Sequence, residues 1–136
     1  MYEVFEHTAD LGLRISSPTL NGLFSEAAEA LFSVIVENID QIRTEKSFKL
    51  NIKASNLEYL LFDWLNELLY LFESEKIVAN SFLVNVDSDS LSAEVYGEVL
   101  DRNRHKTDHE VKAITYHQLK VVQKQTEWMA EVILDI

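Results

Sequence analysis

The sequence predicts an α+β fold, a single domain over residues 1–136 in which two long helices pack on a mostly antiparallel sheet. Two segments carry apolar residues at helical spacing, and each follows a residue that favours a helix N-terminus. The other segments alternate apolar and polar residues, as half-buried strands do. Because most of the strands follow one another in the second half of the chain, antiparallel pairing is expected to dominate.

The first strand breaks and then resumes. Its alternating pattern stops at His7-Thr8-Ala9-Asp10 and continues over residues 12–15. No helical pattern follows the break, so a helix cap does not explain it. The segment is therefore expected to hold one carboxylate, that of Asp10, at a bend.

The helices and the other strands follow in order. Thr19 is the expected N-cap of a first helix that ends near Glu37, and Ser55 and Asn56 offer a cap for a central helix at 57–72. Alternation places Glu98 on the polar side of its strand. The predicted strands lie at 48–52, 82–86, 91–99, 110–123 and 127–135, with turns at 87–90 and 124–126 and a polar loop at 101–109.

The charge balance argues against strong direct binding of nucleic acid. The chain has 12 basic and 23 acidic residues, for a net charge of −11. Nucleic-acid binding depends on clustered lysine and arginine that neutralise phosphates. The basic run at 102–106 is expected to be a solvated loop instead. An acidic protein of this kind favours cations or a basic protein partner.

Composition sets further bounds. A hydrophobic fraction of 47% is typical of a globular chain, and the absence of cysteine excludes disulfides and thiolate-bound zinc. No window approaches the roughly 20 apolar residues of a membrane span. No signal sequence precedes the first strand. We therefore expect a cytoplasmic protein that does not associate with membranes.

Two groups of side chains are weak candidates for a metal site. His105 and His109 lie four apart in the polar loop, but a zinc site would need a third ligand. Asp63 and Glu67 share a face of the central helix. That face is either a metal site or the solvent side of an amphipathic helix.

The last strand contains a stronger candidate. Asp135 stands next to Ile136, whose α-carboxylate would lie beside the Asp135 side chain. Two adjacent carboxylates repel each other unless solvent separates them or a cation bridges them. Together with Asp10 they would form an oxygen cluster suited to Ca²⁺ or Mg²⁺. Sequence alone leaves open whether Asp10 and Asp135 meet or are unrelated surface acids.

Four segments together resemble the archease family, in the same order and at similar spacings. They are HTADLGLRI at 7–15, LLFDWLNELLYLF at 60–72, VKAITYHQLKV at 111–121 and VILDI at 132–136. The resemblance implies one small α+β domain. It also implies a partner, the GTP-dependent RNA ligase that joins tRNA halves after intron removal. A member of this family activates that ligase by promoting its guanylylation and its return to an active state between turnovers.

The resemblance also implies a ligand set. The metal site of the family corresponds here to Asp10, Asp135 and Ile136. The bound ion would be a divalent cation, Ca²⁺ in the first instance, with Mg²⁺ or Mn²⁺ as alternatives. Lys112 and His117 could assist the site or contact the ligase, and His7 is a further candidate for a supporting role.

Two other functions remain open from the sequence. One is a stand-alone metal-dependent phosphoesterase or nuclease that uses Asp10, Asp135 and Lys112. The other is a chaperone-like interaction module whose acidic residues keep it in solution. The chain shows no nucleophile–base pair and no nucleotide-binding loop, so we expect an activator rather than an enzyme.

Overall fold

The computed structural model describes residues 1–7 and 10–136. For His7 it describes the backbone but not the side chain. Thr8 and Ala9, the centre of the bend expected before Asp10, lie outside the described residues, as does the side chain of His7. The helices are α1 (Leu20–Ile35) and α2 (Leu57–Glu75), with a short 3₁₀ turn at Ile39–Gln41. The strands are β1 (Tyr2–His7), β2 (Asp10–Ser17), β3 (Lys46–Lys53), β4 (Ile77–Val86), β5 (Ser90–Val99), β6 (Ala113–Ile114), β7 (Lys120–Lys124) and β8 (Glu127–Asp135).

The strands form two antiparallel sheets rather than one. The first has the order β1-β2-β8-β6, with β7 also paired to β8, and the second has the order β3-β5-β4. Helix α1 packs against β2 of the first sheet and β4 of the second, so it joins the two sheets through one core. The predicted α+β class, with two helices packed on antiparallel strands, is confirmed.

Both helices begin where the sequence predicts. The Thr19 hydroxyl accepts a hydrogen bond from the Gly22 N–H at 3.0 Å, and the Asn56 side chain accepts one from the Tyr59 N–H at 2.9 Å. These caps satisfy backbone donors that have no partner within the helix. Helix α2 runs three residues beyond the predicted end at 72, because Lys76, at φ 58°, closes it in the left-handed conformation.

Helices α1 and α2 meet through a buried polar contact. The indole Nε1–H of Trp64 donates a hydrogen bond to the Phe24 carbonyl at 2.9 Å. Both side chains are completely buried, and the Trp64 ring packs edge-on against Phe82 of β4. The bond satisfies the one polar atom of a large buried ring, so Trp64 fills the centre of the core without leaving an unpaired hydrogen-bond donor.

The predicted strand at 110–123 is divided in two. Only Ala113–Ile114 and Lys120–Lys124 are strands, and both pair with β8. Between them Gln118 has a positive φ of 55°, which turns the chain. Strand β4 begins at Ile77, five residues earlier than predicted, and an irregularity in its pairing between Ala79 and Ser81 interrupts the alternation.

Among the described residues, no helix is both long enough and apolar enough to span a membrane.

Glu98 contradicts the alternation expected for β5. The pattern puts it on the polar side, yet Glu98 is only 4% exposed while its neighbour Val99 is 44% exposed. A carboxylate is buried at this level when partners replace its hydration. The partners come from the loop that follows β5 and from the segment that precedes β3.

The basic run at 102–106 is not simply a solvated loop. The Arg104 guanidinium pairs with Glu98 Oε1, and the Arg43 N–H donates to Glu98 Oε2 at 2.6 Å. His105 Nε2 lies 3.0 Å from Glu98 Oε2, and His105 Nδ1 accepts the Asp101 N–H at 2.9 Å. Because Nδ1 is an acceptor, Nε2 carries the proton and donates to the carboxylate.

This network lowers the pKa of Glu98. Burial by itself raises that pKa, but the hydrogen bonds from the Arg43 N–H, Arg104 and His105 outweigh it. A carboxyl whose pKa falls on folding stabilises the native state above its unfolded pKa. The contribution is lost as the pH falls through the folded pKa.

We predict that Glu98→Gln lowers the free energy of unfolding at pH 7 by about 3 kcal/mol, because the half-buried Arg104 charge and the His105 Nε2–H donor lose their carboxylate partner. The variant should also lose stability less steeply than the unmodified protein below pH 4.5, the usual pKa of this side chain. Urea denaturation between about pH 3 and 7 measures both effects. The control is Glu127→Gln, a change at an exposed residue, and equal losses in the two variants would contradict the account.

Candidate metal centre

The pairing of β2 with β8 brings Asp10 and Asp135 to the same place. Leu11 lies opposite Leu134 in this antiparallel pair. Since the strands run in opposite directions, the residue before Leu11 stands beside the residue after Leu134. Such neighbours project from the same face of a sheet with Cβ atoms about 5 Å apart. Extended by one residue, the register therefore brings the backbones of the two aspartates next to each other at one end of the pair.

The two aspartates project away from the core. Leu11, Leu13 and Ile15 are buried on the inner face of β2, opposite buried residues of β8. Side chains alternate along a strand, so Asp10 and Asp135 belong to the other face. Asp10 is half-buried and Asp135 is exposed, which leaves both carboxylates open to an ion from solution.

A glycine beside the aspartates admits an aromatic ring to the same face. Gly12 pairs with Phe5 of β1, and a Cβ placed on Gly12 would lie 2.2 Å from the Phe5 ring. Only glycine leaves room for this contact without displacing the ring. The Arg14 guanidinium covers the ring at 4.4 Å from its centroid. The strand therefore continues, well packed, immediately after Asp10.

The end of β8 is held on its other side by the segment that contains β6. The Lys112 N–H donates to the Asp135 carbonyl at 2.7 Å, and Ala113 lies opposite Asp135 in the register. Thr115 donates to the Ile133 carbonyl from both its N–H, at 3.1 Å, and its hydroxyl, at 2.9 Å. The half-buried side chain of Ile136 packs against the core. Asp135 therefore has a fixed backbone on both sides.

The predicted supporting residues have different surroundings. Lys112 contributes its backbone, while its exposed side chain lines an open cleft of about 620 Å³ that includes neither Asp10 nor Asp135 among its lining residues. His117 is exposed, in the turn after β6, and its N–H donates to the Thr115 hydroxyl at 3.2 Å. His7 lies opposite Asp10 in the β1–β2 register, but its side chain lies outside the described residues.

Within the described part of the chain, no ion pair with lysine or arginine neutralises the two aspartates, Asp10 and Asp135. Nor does that part of the chain contain a group of three or more histidine, aspartate or glutamate side chains that could hold a metal. As a candidate site, the aspartate pair offers two carboxylates, and a third ligand would have to come from the main chain, such as the carboxylate of Ile136.

The two weaker candidates do not form metal sites in the structure. Both ring nitrogens of His105 are occupied, by the Asp101 N–H and by Glu98, so His105 and His109 do not form a zinc pair. On α2, Asp63 is half-buried and Glu67 is exposed. No group of three possible ligands includes them among the described residues, so this pair belongs to the polar outer side of the helix.

One feature was missed by sequence reasoning. The Tyr116 ring stacks on Phe62 of α2, with ring centroids 3.8 Å apart, and meets the Tyr59 ring edge-on at 5.4 Å. The spacing of Tyr59 and Phe62 on one helix gave a partial signal. Tyr116 lies far away in the sequence, in a turn whose position depends on the pairing of β6 with β8.

Comparisons with known proteins agree with this architecture. The model of the Archease protein family (MTH1598/TM1083) matches residues 2–136. Protein archease of Pyrococcus furiosus is 39% identical over 140 residues, with 99% of this chain and 98% of that protein covered. Protein archease of Sulfurisphaera tokodaii is 35% identical over 137 residues, with the same coverage of 99% and 98%.

Solved structures give the same result. The solution structure of protein 1598 of Methanobacterium thermoautotrophicum is similar with a TM-score of 0.87 at 30% identity, and 99% of this chain and 98% of that one are covered. A crystal structure from Thermotoga maritima, of "an archease, possible chaperone", shares the fold with a TM-score of 0.66 at 20% identity, over 100% of this chain and 98% of that one. The chain therefore belongs to the archease family.

Proposed function

We propose that this protein activates the GTP-dependent RNA ligase of tRNA splicing in the cytoplasm, through a divalent cation bound by Asp10, Asp135 and the carboxylate of Ile136. Membership of the archease family supports this role. The observation that carries the site is the register of β2 and β8, in which Leu11 opposite Leu134 makes Asp10 and Asp135 neighbours.

The chemistry of the aspartate pair favours a hard cation. Two carboxylates that share one end of a sheet repel each other, and a cation between them removes the repulsion. Only oxygen ligands are available, which suits Ca²⁺, Mg²⁺ or Mn²⁺ rather than a soft metal. Ca²⁺ takes about six to eight oxygen ligands, so three from this chain would leave positions for water or for a group of the partner.

The reaction itself is assigned to the ligase. A net charge of −11 makes tight binding of RNA by this chain alone unfavourable. In this scheme the protein is not an enzyme. It presents a bound cation to the ligase and promotes guanylylation and multiple turnover, with Lys112 holding the Asp135 backbone. His117, exposed in the turn after β6, is proposed as a supporting residue.

We predict that Ca²⁺ raises the thermal midpoint of the unmodified protein. A ligand at 100 times its dissociation constant adds about 2.7 kcal/mol to the free energy of unfolding. Asp10→Asn and Asp135→Asn should each lose most of this gain, because each removes one charged ligand. Differential scanning calorimetry with Ca²⁺, Mg²⁺ or Mn²⁺ measures the effect.

The matched control is Asp89→Asn, which makes the same change in charge at an exposed residue between β4 and β5. A further variant appends a glycine and a serine after Ile136, which replaces its carboxylate by an amide. It should weaken the response to metal if that carboxylate is a ligand. A melting curve unmoved by any of the three ions, or an equal loss in Asp89→Asn, would contradict the metal centre.

We predict that the unmodified protein raises multiple-turnover ligation of tRNA halves by the ligase, and that Asp10→Asn and Asp135→Asn each abolish this gain without unfolding. A shared cation needs both carboxylates, so each single change should be as damaging as the double change. The measurement is the number of turnovers per ligase molecule with GTP and a divalent cation.

Two further reactions separate this function from its rivals. Cleavage of RNA by this protein and metal in the absence of the ligase would indicate a nuclease. Suppression of the aggregation of an unrelated protein, unaffected by Asp10→Asn, would support the chaperone role attributed to the Thermotoga maritima relative. An activator does neither, and ligation unchanged by this protein would disprove the proposed function.

A further inference from the structure

The outer face of α2 carries a cluster of exposed aromatic rings. Tyr59 is 46% exposed and Tyr116 is 52% exposed, although Tyr116 stacks on Phe62 with an interplanar angle of 15°. One turn of helix separates Tyr59 from Phe62, and Tyr70, 68% exposed, continues the same side of the helix towards its C-terminus. Together they give α2 an aromatic strip that faces solvent.

A structural role accounts for only two of these rings, Tyr116 and Phe62. The Tyr116–Phe62 stack holds the turn after β6, in which the Leu119 N–H donates to the Tyr116 carbonyl at 3.1 Å, against α2. It does not explain why the rings of Tyr59 and Tyr70 are exposed. Exposed tyrosines are enriched where proteins bind each other, because a tyrosine buries a large area at a small cost in conformational entropy.

The charge of α2 is entirely acidic. All five charged residues between Leu57 and Glu75 carry a negative charge, and none carries a positive one: Glu58, Asp63, Glu67, Glu73 and Glu75. Asp63 lies one turn after Tyr59 and next to Phe62, so it shares their side of the helix. Burial against α2 raises the pKa of Tyr116, and the nearby charge of Asp63 raises that pKa further. The helical spacing thus puts a carboxylate on the side of α2 that carries the stacked rings.

We propose that this surface, made of Tyr59, Phe62, Asp63, Tyr70 and Tyr116, docks an arginine-bearing segment of the partner protein. A guanidinium stacks on aromatic faces and pairs with a carboxylate at the same time. A lysine also carries a positive charge, but only the planar guanidinium stacks flat on a ring and forms two parallel hydrogen bonds to a carboxylate. The inference deepens the proposed function, since the partner there is the RNA ligase.

Two more observations favour a basic protein as the occupant. An enzyme that binds tRNA carries a cationic surface, which complements a chain of net charge −11. A short segment of the chain also connects the docking surface to the candidate metal centre. Tyr116 follows Thr115, which holds the Ile133 carbonyl two residues before Asp135. Segment 112–116 therefore links the backbone of Asp135 to the ring stack.

The test is the dissociation constant of the ligase complex, measured by fluorescence anisotropy. Three variants are compared with the unmodified protein: Tyr59→Ala/Tyr116→Ala, Asp63→Lys, and the control Asp89→Lys, which makes the same change in charge on an exposed turn. The first two should weaken binding about tenfold or more, and the control should change it by less than about twofold. Affinity for the unmodified protein should fall as salt rises from about 50 to 200 mM.

The outcomes separate the docking surface from the proposed function. If the unmodified protein binds the ligase and the double variant binds equally well, the docking surface is wrong and the proposed function stands. If Asp63→Lys and Asp89→Lys weaken binding equally, the partner senses only net charge, and the surface is again wrong. If the unmodified protein neither binds nor activates the ligase, the proposed function fails and this inference fails with it. Thermal midpoints of all variants show that a lost affinity is not a lost fold.

Discussion

Strand β8 pairs with β2 on one side and with β6 and β7 on the other, and this central position determines the rest of the first sheet. Three of its residues, Ala130, Val132 and Leu134, are buried against the core. A shift of the pairing by one residue would turn all three outward, so burial fixes the register. The same register makes Asp10 and Asp135 neighbours. The geometry of the candidate metal centre is therefore a consequence of core packing and needs no separate folding signal.

The sequence contains enough local information to predict the helices and the longer strands. Apolar spacing with the Thr19 and Asn56 caps predicts α1 and α2 to within a few residues at their ends. Alternation predicts β8 and most of β5 for the same reason, since each strand has one face on the core. These elements can be predicted locally because the burial of one face imposes a periodic pattern of apolar residues along each segment.

Features that depend on distant partners could not be predicted. Strand β6 has only two residues, and it exists because β8 offers an unpaired edge. Glu98 breaks its alternation because two residues of the following loop are its partners: Arg104 neutralises its charge and His105 donates a hydrogen bond to it. The Tyr116–Phe62 stack depends on the same β6 pairing. For the candidate site, the sequence identified Asp10 and Asp135 only as candidate ligands, and their adjacency follows from a long-range register.

In the proposed scheme, two surfaces of this small domain have separate roles. The acidic, aromatic face of α2 would bind the partner, and the pair of aspartates at the end of the first sheet would present a cation to it. The adjacency of Asp10 and Asp135 around one ion is the claim on which this scheme depends. Crystals grown with Mn²⁺ and measured at a wavelength where manganese scatters anomalously would test it most directly. We expect one strong anomalous peak with oxygen atoms of both aspartates in its coordination sphere. A peak bound by only one of them, or no peak at this end of the sheet, would contradict the account.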